Sequence, residues 1–162
     1  MLVSNTSTLV LLAKIGCLED FIEISPKIII PIQVKEEALF EKDSFYAKLI
    51  EKFIRTKKII VLPADKAQIR KIMEEFRLDK GEAAAYAIFD IKKHKAMLTD
   101  DGELIKLCRL ENVPFICAMA VVIRLFEMKK LSKKEALDKL GDLNKIGRYS
   151  EKIYNHFKLE VE

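Results

Sequence analysis

Five short apolar runs decide what this chain can fold into: Leu2-Val3-Ser4, Ile28-Ile29-Ile30, Ile59-Ile60-Val61-Leu62, Ala96-Met97-Leu98 and Val113-Pro114-Phe115-Ile116-Cys117. Each is strand-length, and each is followed by residues with helical spacing. Pro31 and Pro63 follow the second and third runs, while Thr99, Asp100 and Asp101 end the fourth. Helices are expected from Leu9 to Ile15, Cys17 to Ile24, Val34 to Phe40, Ser44 to Arg55 and, after Pro63, up to Phe76. Further helices run from Asp79 to about Ile91, Leu104 to Leu110, Ala118 to Met128 and Lys133 to Leu143. The tail from Gly147 to Glu162 is mixed and reads as a terminal strand or arm. Strands alternating with helices require a parallel sheet covered on both faces. The expected architecture is therefore a three-layer α/β/α sandwich with a mainly parallel central sheet. It forms one domain over residues 1–162, with 146–162 as a C-terminal arm.

Composition narrows the chemistry. No apolar run is long enough to span a bilayer, and the opening Met-Leu-Val-Ser lacks the basic flank of a signal peptide, so a cytoplasmic protein is expected. Cys17, Cys108 and Cys117 are odd in number, lack C-x-x-C spacing and sit in apolar contexts. They read as reduced core residues rather than disulfides or zinc ligands. With only His94 and His156 available, a histidine-rich metal site or a Ser-His-Asp triad is disfavoured. No P-loop and no G-x-G-x-x-G turn is present. The net charge is +4, but basic residues cluster at Lys52 to Lys58, Lys92 to Lys95 and Lys129 to Lys134. Such clusters are solvated helix ends or a face for a polyanion.

Carboxylates recur at element boundaries: Glu37, Glu82, Asp100 and Asp101, with Asn5 at the end of the first strand. Ligands gather at the carboxyl ends of strands in open α/β sheets. Oxygen donors without His or Cys suit Mg²⁺ or Mn²⁺. Each residue also has a plainer role. Asp100 with Glu103, and Asp79 with Glu82, have capping-box spacing; Glu37 suits a solvated helix face, and Asn5, Thr6 and Ser7 suit turns and caps.

The order of these motifs adds a resemblance across nearly the whole chain. Val3-Ser4-Asn5-Thr6-Ser7-Thr8-Leu9 resembles the opening motif of PIN-domain nucleases, and Ile30-Pro31-x-x-Val34-x-x-Glu37 their second. Leu78-Asp79-x-Gly81-Glu82-Ala83 resembles their third motif and Leu98-Thr99-Asp100-Asp101 their fourth. With the Ile146-Gly147-Arg148-Tyr149-Ser150 tail, the chain is most similar to a prokaryotic branch related to VapC-type toxins. The resemblance implies a PIN-like sandwich and a metal-dependent ribonuclease. Glu37, Glu82, Asp100 and Asp101 would be catalytic and, with Asn5, would hold Mg²⁺ or Mn²⁺. Ser7 and Thr99 would support them, and Lys14, Lys80 and Arg109 would contact phosphate. Asn5 stands where the family carries an acid, which keeps an oxygen but removes one charge. One firmly held ion, and a second that arrives with substrate, is the corresponding expectation. The implied partners are an RNA substrate, an antitoxin protein and a second copy of the chain, the last supported by apolar Val121, Val122, Leu125 and Phe126 on a late helix. The alternative is a non-catalytic PIN-fold module that binds RNA or protein.

Overall fold

The computed structural model describes residues 1–162. The first segment alternates strand and helix: β1 (Leu2–Ser4), α1 (Thr6–Lys14), α2 (Leu18–Ile24), β2 (Ile28–Pro31), α3 (Ile32–Ala38), α4 (Phe45–Arg55) and β3 (Ile59–Leu62). Then come α5 (Lys66–Glu75), α6 (Lys80–Ile88), β4 (Ala96–Leu98), α7 (Gly102–Leu110) and β5 (Phe115–Ile116). Three helices, α8 (Ala118–Glu127), α9 (Lys133–Ile146) and α10 (Glu151–Val161), complete the chain.

The strands form one sheet in the order β3-β2-β1-β4-β5, and every pairing is parallel. Side chains alternate across a strand, and here that alternation divides the core in two. Leu2, Ile28, Ile30, Ile59, Ala96 and Leu98 face the larger layer with α1, α2, α8 and α9. Val3, Ile29 and Met97 face the smaller layer, built by Ile69 and Ile72 of α5, Ala83 to Ala85 of α6, and Leu104, Leu107 and Cys108 of α7. Both faces are dry, which is why the strands read as continuous apolar runs. The three-layer sandwich is thus as expected.

The order in which strands are added reverses at β1: β2 and β3 lie on one side of it, β4 and β5 on the other. Such a switch point leaves a crevice beyond the strand ends. Ser4 pairs with Leu98 there, so Asn5 and Thr99 leave the sheet side by side.

Several expected boundaries move. The helix after Asp79 stops at Ile88 rather than Ile91, where Phe89 turns extended. The fifth strand shrinks to Phe115 and Ile116. The tail is neither strand nor free arm, because Ser150 caps α10, which packs on α8 and α9 and buries Val161. Val121, Val122 and Leu125 are fully covered inside the chain and Phe126 packs partly buried against the same core, so these four residues supply no argument for pairing. No helix is long and apolar enough to cross a membrane. Cys17 and Cys108 are buried and all three cysteines are free thiols, as expected.

Candidate functional site

The crevice opens into a cavity of about 390 Å³ lined by 13 residues. Asn5, Ser7, Glu37, Glu82, Asp100 and Asp101 all line it, joined by Thr6, Asp79 and Arg148 among others. Six of the ten residues singled out by sequence therefore share one wall system. Thr99 lies fully buried beneath it.

Asn5 is 2% exposed and caps nothing, although it sits at the N-cap position of α1. Its Nδ2 donates to Thr99 Oγ1 at 2.9 Å, and its Oδ1 accepts from Ser7 Oγ at 3.1 Å. Thr99 Oγ1 also accepts from the Asp101 amide at 3.1 Å. The amide thus ties the ends of β1 and β4 together.

The two adjacent aspartates divide their work differently from the sequence expectation. Asp101, not Asp100, is the N-cap of α7, its Oδ2 accepting from Leu104 N at 2.8 Å. Asp100 points the other way. It accepts from the Ala118 amide at the start of α8 at 3.0 and 3.2 Å, and from Thr8 Oγ1 at 2.6 Å. The Tyr149 hydroxyl donates to its Oδ2. Burial nevertheless pushes the Asp100 carboxyl above its ordinary range, against the pull of these donors. Burial and the facing Asp100 charge likewise keep Tyr149 a neutral phenol.

Glu82 fills the capping role that its spacing allowed. It closes a capping box with Asp79, accepting from Asp79 N at 3.0 Å while Asp79 accepts from Glu82 N at 2.8 Å. Desolvation, with the Asp79 and Asp101 charges, pushes the Glu82 carboxyl up to about 8. Glu37 reaches across from α3 to the first turn of α6. Thr6 Oγ1 donates to its Oε2 at 3.0 Å. A Cβ on Gly81 would stand 2.6 Å from the Glu37 carboxyl carbon, so only glycine admits this carboxylate. Desolvation there, with the Asp79 charge, raises its pKa.

Three expected phosphate contacts are placed elsewhere. The Lys14 ammonium lies 5.3 Å above the Tyr46 ring and the Arg109 guanidinium 5.4 Å above Phe115. Lys80 is exposed and outside the cavity lining. The basic residue that does line it is Arg148, together with Gly147 and Ile146. Thr8, Arg148 and Tyr149 fall within the opening and tail stretches that carry the resemblance but were not picked out as site residues, because their contacts depend on how helices distant in sequence pack.

Chemically, the donor set is all oxygen, and like charges at this density cost free energy unless neutralised. A proton on Glu82, or a cation beside it, offsets the desolvation and the neighbouring Asp79 and Asp101 charges, and hard dications suit such donors. As the side chains stand, no three acidic, His or Cys groups are drawn together tightly enough to hold an ion. Asp100 has both oxygens committed to protein donors, so Glu37, Glu82 and Asp101 are the residues with oxygens to offer.

Compared with known proteins, residues 1–162 match the family model DUF3368, whose description is PIN domain. No curated protein and no solved structure matches the chain.

Proposed function

The chain belongs to the PIN-domain family, and on that premise we propose that it is a nuclease that hydrolyses RNA phosphodiester bonds with Mg²⁺ or Mn²⁺. The observation that carries this reading is that Glu37, Glu82 and Asp101 line one cavity at the switch point, with Glu82 pushed up to about 8, chiefly by desolvation. Three elements spend free energy to bring these acids together, which a purely structural set of caps would not require. When bound, the dication would activate a water and offset charge on the scissile phosphate.

The residues have separate tasks. Glu82 and Asp101 would hold the ion, their backbones fixed by the caps of α6 and α7. Glu37 would join them from α3, oriented by Thr6 and seated on Gly81. Asp100 orients the wall of the cavity rather than offering a free oxygen, and Asn5 with Thr99 keeps the two strand ends in register. A role as the toxin of a toxin–antitoxin pair, and self-pairing as a homodimer, are finer forms of this proposal. A neighbouring gene for a small DNA-binding protein would support the former, and light scattering decides the latter.

The second reading, a non-catalytic binding module, is favoured by Asn5 in place of an acid. One experiment separates the two. Calorimetric Mn²⁺ titration and cleavage of a generic single-stranded RNA are measured for the wild type and Glu82→Gln. The nuclease reading expects metal binding and metal-dependent cleavage, both lost or strongly weakened in Glu82→Gln. RNA binding without metal uptake or cleavage would select the binding module.

A further inference from the structure

We propose that Arg148 is the phosphate-contacting residue of this site and that Tyr149, through Asp100, holds the segment that presents it. This rests on the nuclease reading above. Arg148 is the one basic residue among those lining the cavity, which it shares with Glu37, Asp79, Glu82, Asp100 and Asp101. It takes part in none of the ion pairs of the molecule. An arginine beside five carboxylates that pairs with none of them keeps its guanidinium available for an incoming anion. Its planar fork matches a phosphate in two parallel hydrogen bonds. A polyanionic backbone entering a net-acidic cavity needs such a cation, and the other candidates are engaged or outside: Lys14 over Tyr46, Arg109 over Phe115, Lys80 off the lining.

The segment that carries Arg148 is built to stay in place. Gly147 ends α9, and a Cβ there would stand 2.9 Å from both the Leu143 carbonyl oxygen and Tyr149 Cδ2. Without a side chain, the Tyr149 ring lies against the Gly147 backbone, and its hydroxyl reaches Asp100 at the end of β4. On the far side, α10 packs on α8 and α9. Arg148 is therefore held between two fixed points, and less conformational freedom is lost when it binds. Tyr149 is a positioning residue here, acting through Asp100 and the Arg148 backbone.

The test compares wild type, Arg148→Ala, Arg148→Lys and Tyr149→Phe. Binding of a fluorescent single-stranded RNA is read by anisotropy with Ca²⁺ over a salt series. Mn²⁺ affinity is read by calorimetry, and kcat and KM by RNA cleavage with Mn²⁺. Arg148→Ala is expected to bind RNA about tenfold more weakly, with a log–log salt slope shallower by about one. KM should rise more than kcat falls, with Mn²⁺ affinity unchanged. Arg148→Lys should keep the salt slope and recover part of the affinity. Tyr149→Phe, which keeps the ring and loses only the hydroxyl, should weaken RNA binding in the same direction by less. Wild-type RNA affinity and salt slope in Arg148→Ala, with a wild type that binds and cleaves RNA, would overturn the proposal. Unchanged RNA affinity in Tyr149→Phe would overturn its positioning half. A wild type that takes up neither Mn²⁺ nor RNA would instead sink the nuclease reading, and this inference with it.

Discussion

Asn5 shows how a single amide can stand at an acidic position without disturbing its neighbours. Its Nδ2 donates to Thr99 Oγ1, which also accepts from the Asp101 amide. An aspartate would accept at that point instead, and the Thr99 hydroxyl can turn its own proton toward it. Asn5→Asp therefore adds a charge without orphaning a hydrogen bond. It is expected to tighten Mn²⁺ binding by about tenfold, since Coulomb attraction is strong where water is partly excluded. It should also lower the melting temperature without metal, because a further like charge joins an unneutralised group. Unchanged Mn²⁺ affinity in a calorimetric titration would remove Asn5 from the metal's surroundings. Two glycines give a contrasting pair. Gly81→Ala forces the Glu37 carboxylate off its seat, and Mn²⁺ affinity should fall about tenfold. Gly102→Ala meets nothing within 4 Å and should leave affinity alone while stabilising by about 0.5 kcal/mol.

At the level of elements, what the sequence revealed was the local chemistry. Asp79 and Glu82 form the capping box that their spacing announced, and the apolar runs became the five strands. The division of labour between Asp100 and Asp101 was not visible. It depends on the direction in which β4 ends, which turns Asp100 toward α8 and leaves Asp101 facing α7. The tail was equally opaque, because α10 is stabilised by packing on α8 and α9 rather than by its own propensity. Helix ends offer a test that no spacing rule would have found. Lys57, Asn112 and Lys129 have φ of 60°, 57° and 61°. Each follows a helix and closes a paired turn: Lys58 N donates to the Phe53 carbonyl, Val113 N to that of Cys108 and Lys130 N to that of Leu125. Asparagine tolerates this conformation, whereas lysine pays roughly 1–2 kcal/mol for it. Glycine relieves that strain and gives back part of the gain as unfolded-chain entropy. Lys57→Gly and Lys129→Gly should each stabilise by about 0.5 kcal/mol, and Asn112→Gly by less. Chemical denaturation midpoints at constant slope check this.

For the whole molecule, motif order carried the fold because three of the four motifs follow a strand and the third opens α6, and a parallel sheet with one switch point brings strand ends together. That logic located Asn5, Glu37, Glu82, Asp100 and Asp101 around one cavity. It did not show that Tyr149 meets Asp100 or that Arg148 enters the cavity, since both depend on how the segment between α9 and α10 packs back over the end of β4. The cost of gathering the acids should appear in global stability. Glu82 is pushed from 4.5 to about 8, and burial also raises Asp100 and Glu37. A carboxyl whose pKa is raised on folding binds more protons in the folded state between its two values. Stability from Glu82 is therefore fully present below about pH 4.5 and is lost as pH rises toward 8. A bound dication reverses the sign, because it needs the deprotonated form. Metal-free protein should accordingly melt at lower temperature as pH rises through this window, and saturating Mn²⁺ should abolish the decline. At neutral pH, Mn²⁺ at one hundred times its Kd adds about 2.7 kcal/mol, a rise of roughly 5–10 °C for a chain of this size. Binding should also release protons, seen as a buffer-dependent calorimetric heat. Glu82→Gln cannot ionise, so most of the pH-dependent decline and most of the Mn²⁺ shift should vanish together. If the decline vanishes and the Mn²⁺ shift remains, Glu82 carries the strained proton but does not hold the ion.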